Sequence, residues 1–351
     1  MGSISLLRLI GVVAGLFIVV SAFLSFRDRR ISRGDTMVRW LIGGGLTVVC
    51  LFPNSLNFLR DLLALESHMY GRLLALLVVS NLLIWLLFFR QRGKIYLLQR
   101  HLDRMVRYAV VPKSSRDGLE SLPGDVDILV VLPAYNEAEN LPGVLARMPK
   151  SIAGHSVGVT VIDDGSEDRT REVALEAGAA VVSSPVRRGQ GAASRLGYDL
   201  AQRLGAKVVV THDADGQHSP EEIENVVRPI LDGEKDFVIG SRILGEREHD
   251  SQVRLVGIHV NNFLINFLAG TDVSDCSSGF KAIRVESLRR VDLSEDQFQA
   301  AEAIIAAAKS GLRIGEAPIS VARRWTGESK KGRNLSYGFN FTRTVLKAWW
   351  K

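Results

Sequence analysis

Asp213-Ala-Asp215 sets two carboxylates one residue apart, at the point where an apolar run stops. The preceding stretch, residues 206–212, reads as a strand through Val208-Val-Val-Thr211. The following Gly216-Gln-His-Ser-Pro220 is turn chemistry, and Ser219-Pro-Glu-Glu222 opens a helix. Carboxylates spaced this way at a strand end can converge on one hard cation, whose remaining positions take waters and substrate phosphate oxygens. That chemistry is metal-assisted work on a phosphorylated substrate. Surface turns hold the same pair, so the context of the motif decides between the two readings.

From Asp127 onward, strand and helix patterns alternate. Strands are expected over 127–132, 158–163, 179–183, 207–212 and 236–240, and helices over 137–148, 168–177, 190–204 and 220–231. Such alternation predicts an α/β domain with a mostly parallel sheet and helices on both faces. Ligands sit at the carboxyl ends of the strands in sheets of this kind. The polar motifs fall at those ends: Pro133-Ala-Tyr-Asn-Glu137 after the first strand, Asp163-Asp-Gly-Ser166 after the second, and Asp213-Ala-Asp215 after the fourth. The first strand is not followed by a Gly-x-Gly-x-x-Gly turn, and the chain has no Gly-Lys-Ser/Thr phosphate loop, which argues against a dinucleotide oxidoreductase and a P-loop enzyme.

The first 112 residues differ in kind and predict an all-α transmembrane domain. Apolar runs occupy Leu9–Leu24, Leu41–Phe52 and Leu73–Phe89, giving expected spans at about 5–25, 38–58 and 73–90. The middle run holds Gly43-Gly-Gly45 and ends at Pro53, so a re-entrant segment is its alternative. Residues 90–113 carry seven Lys/Arg against the single acid Asp103. Within them, 94–110 reads as a basic amphipathic helix, either on the inner leaflet or packed on the following domain. With the arginines at 27–33, this charge bias predicts an outside N-terminus and everything past Arg90 in the cytoplasm of a cell membrane. Residues 113–125 read as a linker, 126–351 as the cytoplasmic domain, and 335–351, rich in aromatic and basic residues, as its interfacial end. The net charge of +6 therefore points to a lipid bilayer and not to nucleic acid. Cys50 and Cys276, the only cysteines, lie in the apolar and polar halves and imply no disulfide framework.

Taken together, Val131-Leu-Pro-Ala-Tyr-Asn-Glu137, Val161-Ile-Asp-Asp-Gly-Ser166, Asp213-Ala-Asp-Gly-Gln217, Ile239-Gly-Ser-Arg242 and Ser278-Gly-Phe280 resemble glycosyltransferase family two. The resemblance covers roughly residues 126–335 and implies the GT-A, nucleotide-diphosphosugar transferase, fold. Within that family the chain is similar to the dolichyl- or polyprenyl-phosphate mannose and glucose synthases. By the same resemblance, Pro133, Ala134, Tyr135, Asn136, Glu137, Asp163, Asp164, Arg188, Asp213 and Ala214 form the nucleotide-sugar site. Asp213, Asp215 and Gln217 are the expected ligands of Mg2+ or Mn2+, and Arg242, Arg324 and Lys330 the expected phosphate contacts. Asp163 is equally readable as a strand-end cap. The chain departs from the family pattern at His259, where those synthases often carry Arg. His259 either replaces that phosphate ligand or is an interior-facing structural histidine.

The function expected from this resemblance is metal-dependent, inverting transfer of one hexose from a GDP-mannose- or UDP-glucose-type donor to polyprenyl phosphate. The chain leaves an oligomer open, as well as the choice between UDP and GDP. One alternative is a glycosyltransferase acting on another membrane acceptor, such as a lipid-linked glycan or polysaccharide. A second is a non-catalytic nucleotide-sugar-binding scaffold.

Overall fold

The computed structural model describes residues 6–27, 33–62, 69–110, 119, 121–245, 252–322 and 334–350. The chain forms two compact units, residues 1–98 and 99–351. Unit one is helical. Helix α1 (Leu6–Arg27) pairs with α2 (Arg33–Leu51), the short α3 (Ser55–Leu62) follows, and α4 (Met69–Val110) begins in this unit. The run expected as one span over 38–58 is thus divided. It breaks at Pro53, which cannot donate to the helical ladder. Among the described residues, Arg8–Ser25 in α1 and Leu76–Ile95 in α4 are long and apolar enough to cross a membrane. Asp35 of α2 ties to α4 by pairing with Arg90 at 3.1 Å and Lys94 at 2.5 Å. The basic segment expected as a separate helix over 94–110 continues α4 without a break, and its residues from 99 onward belong to the second unit.

Unit two is an α/β domain of the GT-A kind. In chain order it runs β1 (Ile128–Ala134), α5 (Leu141–Ala146), β2 (Ser151–Ile152), β3 (His155–Asp163), α6 (Thr170–Glu176), β4 (Ala180–Ser183), α7 (Gln190–Leu204) and β5 (Val208–Thr211). It continues through α8 (Ile223–Leu231), β6 (Phe237–Ser241), α9 (Gln252–Ala269), β7 (Lys281–Arg284), α10 (Gln299–Lys309), β8 (Ile314–Pro318) and α11 (Asn334–Trp350). The sheet order is β2-β3-β1-β5-β7-β6-β8, with β4 pairing on β3. Strands β1, β3, β4 and β5 are mutually parallel, as is the β6–β8 pair. β7, which strand–helix alternation does not announce, enters antiparallel to both β5 and β6 and makes the sheet mixed.

Side chains alternate across a strand, so β1 feeds both faces of the sheet. Leu129 and Val131 join the cluster built with α7, α10 and α11 through Leu196, Leu200, Ile304 and Phe341. Ile128 and Val130 join the one built with α8 through Ile223, Val226, Val227 and Ile230. Burial on both faces is why these strands read as unbroken apolar runs. Helix α9 buries Ile265 and Asn262 on one side and exposes Val260, Phe263 and Phe267 on the other.

Candidate active site

The carboxyl ends of β1, β3 and β5 lie side by side. Ala134 is in register with Asp163 and Val131 with Thr211. Two further backbone bonds extend the alignment past the strands: the Asp164 N–H donates to the Ala134 carbonyl at 2.8 Å, and the His212 N–H to the Val131 carbonyl at 3.0 Å. Parallel pairing therefore brings residues 133–137, 163–166 and 213–217 to one edge, although they are distant in sequence.

The first two motifs stitch to each other. Asn136 donates its N–H to Ser166 Oγ at 3.0 Å and accepts the Glu167 N–H on Oδ1 at 2.9 Å. It does so at φ 53°, a left-handed conformation that Asn tolerates better than most residues. The Glu137 N–H donates to Thr170 Oγ1 at 2.9 Å, and Glu137 Oε2 accepts from the Asn140 amide at 2.8 Å. Asp163 Oδ1 accepts the Ser166 N–H at 2.9 Å, so it caps the turn of the second motif. Pro133 and Ala134 close β1, and Tyr135 follows directly.

Asp164 accepts two backbone donors from the next loop: Arg188 N–H at 2.9 Å and Gly189 N–H at 2.6 Å. Burial nevertheless raises its carboxyl above the ordinary value, against the lowering effect of those bonds and of the Arg188 and Arg187 charges. Of the two adjacent arginines, Arg187 lies at the site, its guanidinium 3.9 Å from the centre of the Tyr135 ring. The side chain of Arg188 is only 7% exposed and pairs with Asp103 and Asp296, so at this loop it is the Arg188 backbone that faces Asp164. Sequence reasoning selected Arg188 where the geometry favours its neighbour.

In the Asp213-Ala-Asp215 turn, Ala214 is buried with Leu132 and Leu141 and anchors the motif to the domain. Asp213 Oδ1 accepts from the Gln190 amide at 2.6 Å, and Oδ2 lies 3.4 Å from His218 Nε2. Asp215 Oδ1 accepts the Gln217 N–H at 3.1 Å. Gly279 runs so close that a Cβ there would stand 2.8 Å from Asp213 Oδ1, which accounts for the glycine in Ser278-Gly-Phe280. Beneath the turn lies Lys281, whose ammonium burial pushes down to about 8, against the opposing charges of Asp213 and Glu302. His212 is likewise pushed down to about 4 by burial and by the nearby His218, so the imidazole is neutral at pH 7. Gln190, His218 and Lys281 were not selected from the sequence. Gln190 does sit in the Arg187-Arg-Gly-Gln-Gly191 loop, and Lys281 directly follows Phe280.

The donor set suits a hard divalent ion. Asp213 and Asp215 offer carboxylate oxygens from one turn, the donor type that a hard divalent ion takes together with diphosphate oxygens and water. Among the described residues, no group of three or more His, Cys, Asp or Glu forms a self-sufficient metal cage. Gln217 is on the same turn, its Nε2 donating to the Ala322 carbonyl at 3.4 Å while its own carbonyl accepts the Ala322 N–H at 2.9 Å. This pairing brings the chain at Ala322 to the acidic turn. Arg324 and Lys330, the expected phosphate contacts that follow it in sequence, lie outside the described residues.

Arg242, directly after β6, sits in a buried fork, with Nε 2.6 Å from Asp275 Oδ2 and Nη2 3.0 Å from Oδ1, and it also donates to Ser277 Oγ. Burial opposes the charge on Asp275, but the Arg242 bonds outweigh it and hold the carboxyl below its usual value. The guanidinium expected to meet phosphate is thus engaged by an acid 33 residues away. His259 is exposed on α9, which removes the interior-facing reading of that residue.

The comparisons with known proteins agree with this geometry. Residues 129–292 match the family model described as Glycosyl transferase family 2. The UDP-N-acetylglucosamine–dolichyl-phosphate N-acetylglucosaminyltransferase of Methanococcus voltae is 30% identical over 243 residues, an alignment spanning 62% of this chain and 94% of that one. The polyprenol monophosphomannose synthase of Mycolicibacterium smegmatis is 35% identical over 221 residues, spanning 59% and 82%. A crystal structure of glucosyl-3-phosphoglycerate synthase from Mycobacterium tuberculosis superposes with a TM-score of 0.51 at 22% identity, covering 68% of this chain and 85% of its own. That similarity speaks for the fold alone. On the motifs, the strand-end geometry and these relatives, the chain is a glycosyltransferase and belongs to glycosyl transferase family 2.

Proposed function

We propose that the protein transfers one hexose from a nucleotide sugar to a polyprenyl phosphate at the cytoplasmic face of a membrane, with inversion at the anomeric carbon. The observation that carries this reading is the acidic turn 213–215, set at the same sheet edge as the interlocked 133–137 and 163–170 motifs. Relatives that share this region bear names of dolichyl- and polyprenyl-phosphate sugar transferases, which supports the acceptor class. Two apolar stretches able to cross a membrane suit a lipid acceptor. We place the N-terminus outside and α4 as the segment that leads into the cytoplasmic domain.

In this reading Pro133, Tyr135, Glu137 and Asp164 hold the nucleoside, and the Arg187 guanidinium stacked on Tyr135 adds positive charge beside the diphosphate. Asp213, Asp215 and Gln217 hold Mg2+ or Mn2+. A divalent ion, when bound, neutralises the diphosphate and so makes the nucleoside diphosphate a better leaving group. The acceptor phosphate is already ionised near pH 7, its second pKa being about 6, so no side chain need remove a proton from it. One of its oxygens forms the new bond to the anomeric carbon as the bond from that carbon to the diphosphate oxygen breaks, which inverts the centre. Cations are then needed to relieve repulsion between acceptor and donor phosphates. Arg324 and Lys330 are our candidates. For Arg242, whose Nε and Nη2 are held by Asp275, a direct contact would fall to Nη1.

The test is incubation of the purified protein with a short polyprenyl phosphate, Mg2+ or Mn2+, and a panel of UDP- and GDP-sugars, with lipid products read by mass spectrometry. A single-hexose increment with one donor is expected. A polymer would favour a polysaccharide acceptor, and nucleotide binding without turnover on any acceptor would favour a non-catalytic scaffold.

A further inference from the structure

Asp103 belongs to none of the motifs above, yet it is the acid that engages the nucleotide loop from outside the α/β sequence pattern. It lies on α4, about two helical turns past Ile95, the end of the second apolar stretch. Its carboxylate pairs with Arg188, with Arg195 at 3.2 Å and with Arg107 at 3.2 Å. Asp296 meets Arg188 at 3.3 Å and also pairs with Arg195, closing a cluster of two arginines and two aspartates. Arg195 is 3% exposed and Arg188 7%, so neither guanidinium can exchange these acids for water without moving. Burial opposes the charge on Asp103, but Arg195, the Arg188 hydrogen bond and Arg107 outweigh it and hold its carboxyl below the ordinary value.

Arg188 thereby does two things at once. Its side chain is locked in this cluster while its backbone N–H, with that of Gly189, is aimed at the two oxygens of Asp164. Gly189 adopts φ 109°, and a Cβ there would stand 2.7 Å from the Asp296 carbonyl, so the loop has little room to reach the same place another way. Without Asp103, two buried guanidinium groups would share one carboxylate. The loop-borne Arg188 is the freer of the two to swing out, and Asp164 is an acid already bonded to its backbone.

We propose that Asp103 is a positioning residue for the sugar donor: through Arg188 it fixes the 188–189 loop and so presets Asp164 for the nucleoside. This rests on the reading that Asp164 binds the nucleoside. The helix leaving the apolar stretch would then set donor affinity while leaving the reacting atoms at the acidic turn untouched.

The experiment is calorimetric titration of the full-length protein with UDP and with GDP in the presence of Mn2+, alongside donor KM, kcat and melting temperature. Asp103→Asn should weaken nucleotide binding and raise donor KM by about tenfold, the scale of one charged hydrogen bond, with kcat within about twofold. Asp103→Glu, which keeps the charge and shifts it by one methylene, should fall between Asn and wild type, and it carries the same test should the Asn variant not fold. Asp199→Asn is the control. It removes the other tie between α4 and α7, Arg107 to Asp199 at 3.1 Å, without touching the loop, and should bind as wild type does. Wild-type affinity in the Asp103 variants overturns the inference, as does equal weakening by Asp199→Asn, which would assign the effect to docking of the helix. Failure of the wild type itself to bind either nucleotide would remove the functional reading and this inference with it.

Discussion

The two carboxylates of the acidic turn have different neighbours, although one residue separates them. Asp213 answers to Gln190, His218 and the close backbone of Gly279, whereas Asp215 closes its own turn on Gln217. Their positions were legible because a strand followed by turn residues has few other structures. The partners of Arg242 and Arg188 were not. Each pairs with acids far away in sequence, and neither periodicity nor a local motif encodes such a contact. Nor do two adjacent loop arginines carry any pattern that says which one turns inward. Arg242 affords a prediction at this scale. Lys cannot reproduce the fork on Asp275, so Arg242→Lys should lose about 1–3 kcal/mol of stability, and transfer should fall with the melting temperature. Lost transfer with an unchanged melting temperature would instead place Arg242 on a phosphate.

Among the elements, β1, β3, β4, β5 and β6 and helices α6, α7 and α8 were readable from periods of two and 3.6 and from turn residues between them. β7 was missed because it enters antiparallel after α9 and a polar loop, and nothing in Lys281-Ala-Ile-Arg284 marks direction. Helix α4 was divided in the sequence reading because its composition changes from apolar to basic near Arg90, although the backbone has no proline there to stop it. Helix α10 shows how an element supports the site from behind. Its buried Glu302 accepts the Ser294 and Glu295 N–H groups at 3.0 and 2.8 Å, shaping the loop that carries Asp296. Gln in its place would turn an acceptor into a donor facing N–H groups. Glu302→Gln should therefore destabilise the protein by about 2–3 kcal/mol, measured by urea unfolding in detergent. A change within about 0.5 kcal/mol would show that the loop holds itself.

At the scale of the whole molecule, the α/β unit is held across its far edge by Asp236, which joins Arg313 at 2.9 Å and Arg284 at 3.3 Å. The Arg313 hydrogen bond, against the cost of burial and aided by Arg284, holds its carboxyl well below the carboxylate range. A depressed folded-state pKa contributes stability that is full above the unfolded value near about 4 and is lost as pH falls through the folded one. Asp236→Asn should thus cost about 2 kcal/mol at pH 7 and progressively less below pH of about 4. A gap that stays constant with pH would contradict the assignment. Fold class and family were legible from the motifs because several of them had to meet at one sheet edge. The division at residues 98–99 was not, because a single helix runs through it. The central claim is that the acidic turn drives sugar transfer, and Asp215→Ala tests it most directly. With the melting temperature preserved, transfer from the preferred nucleotide sugar to polyprenyl phosphate should fall by at least about a hundredfold, the scale of losing one electrostatic stabiliser of the departing charge. Full transfer by that variant would contradict the account.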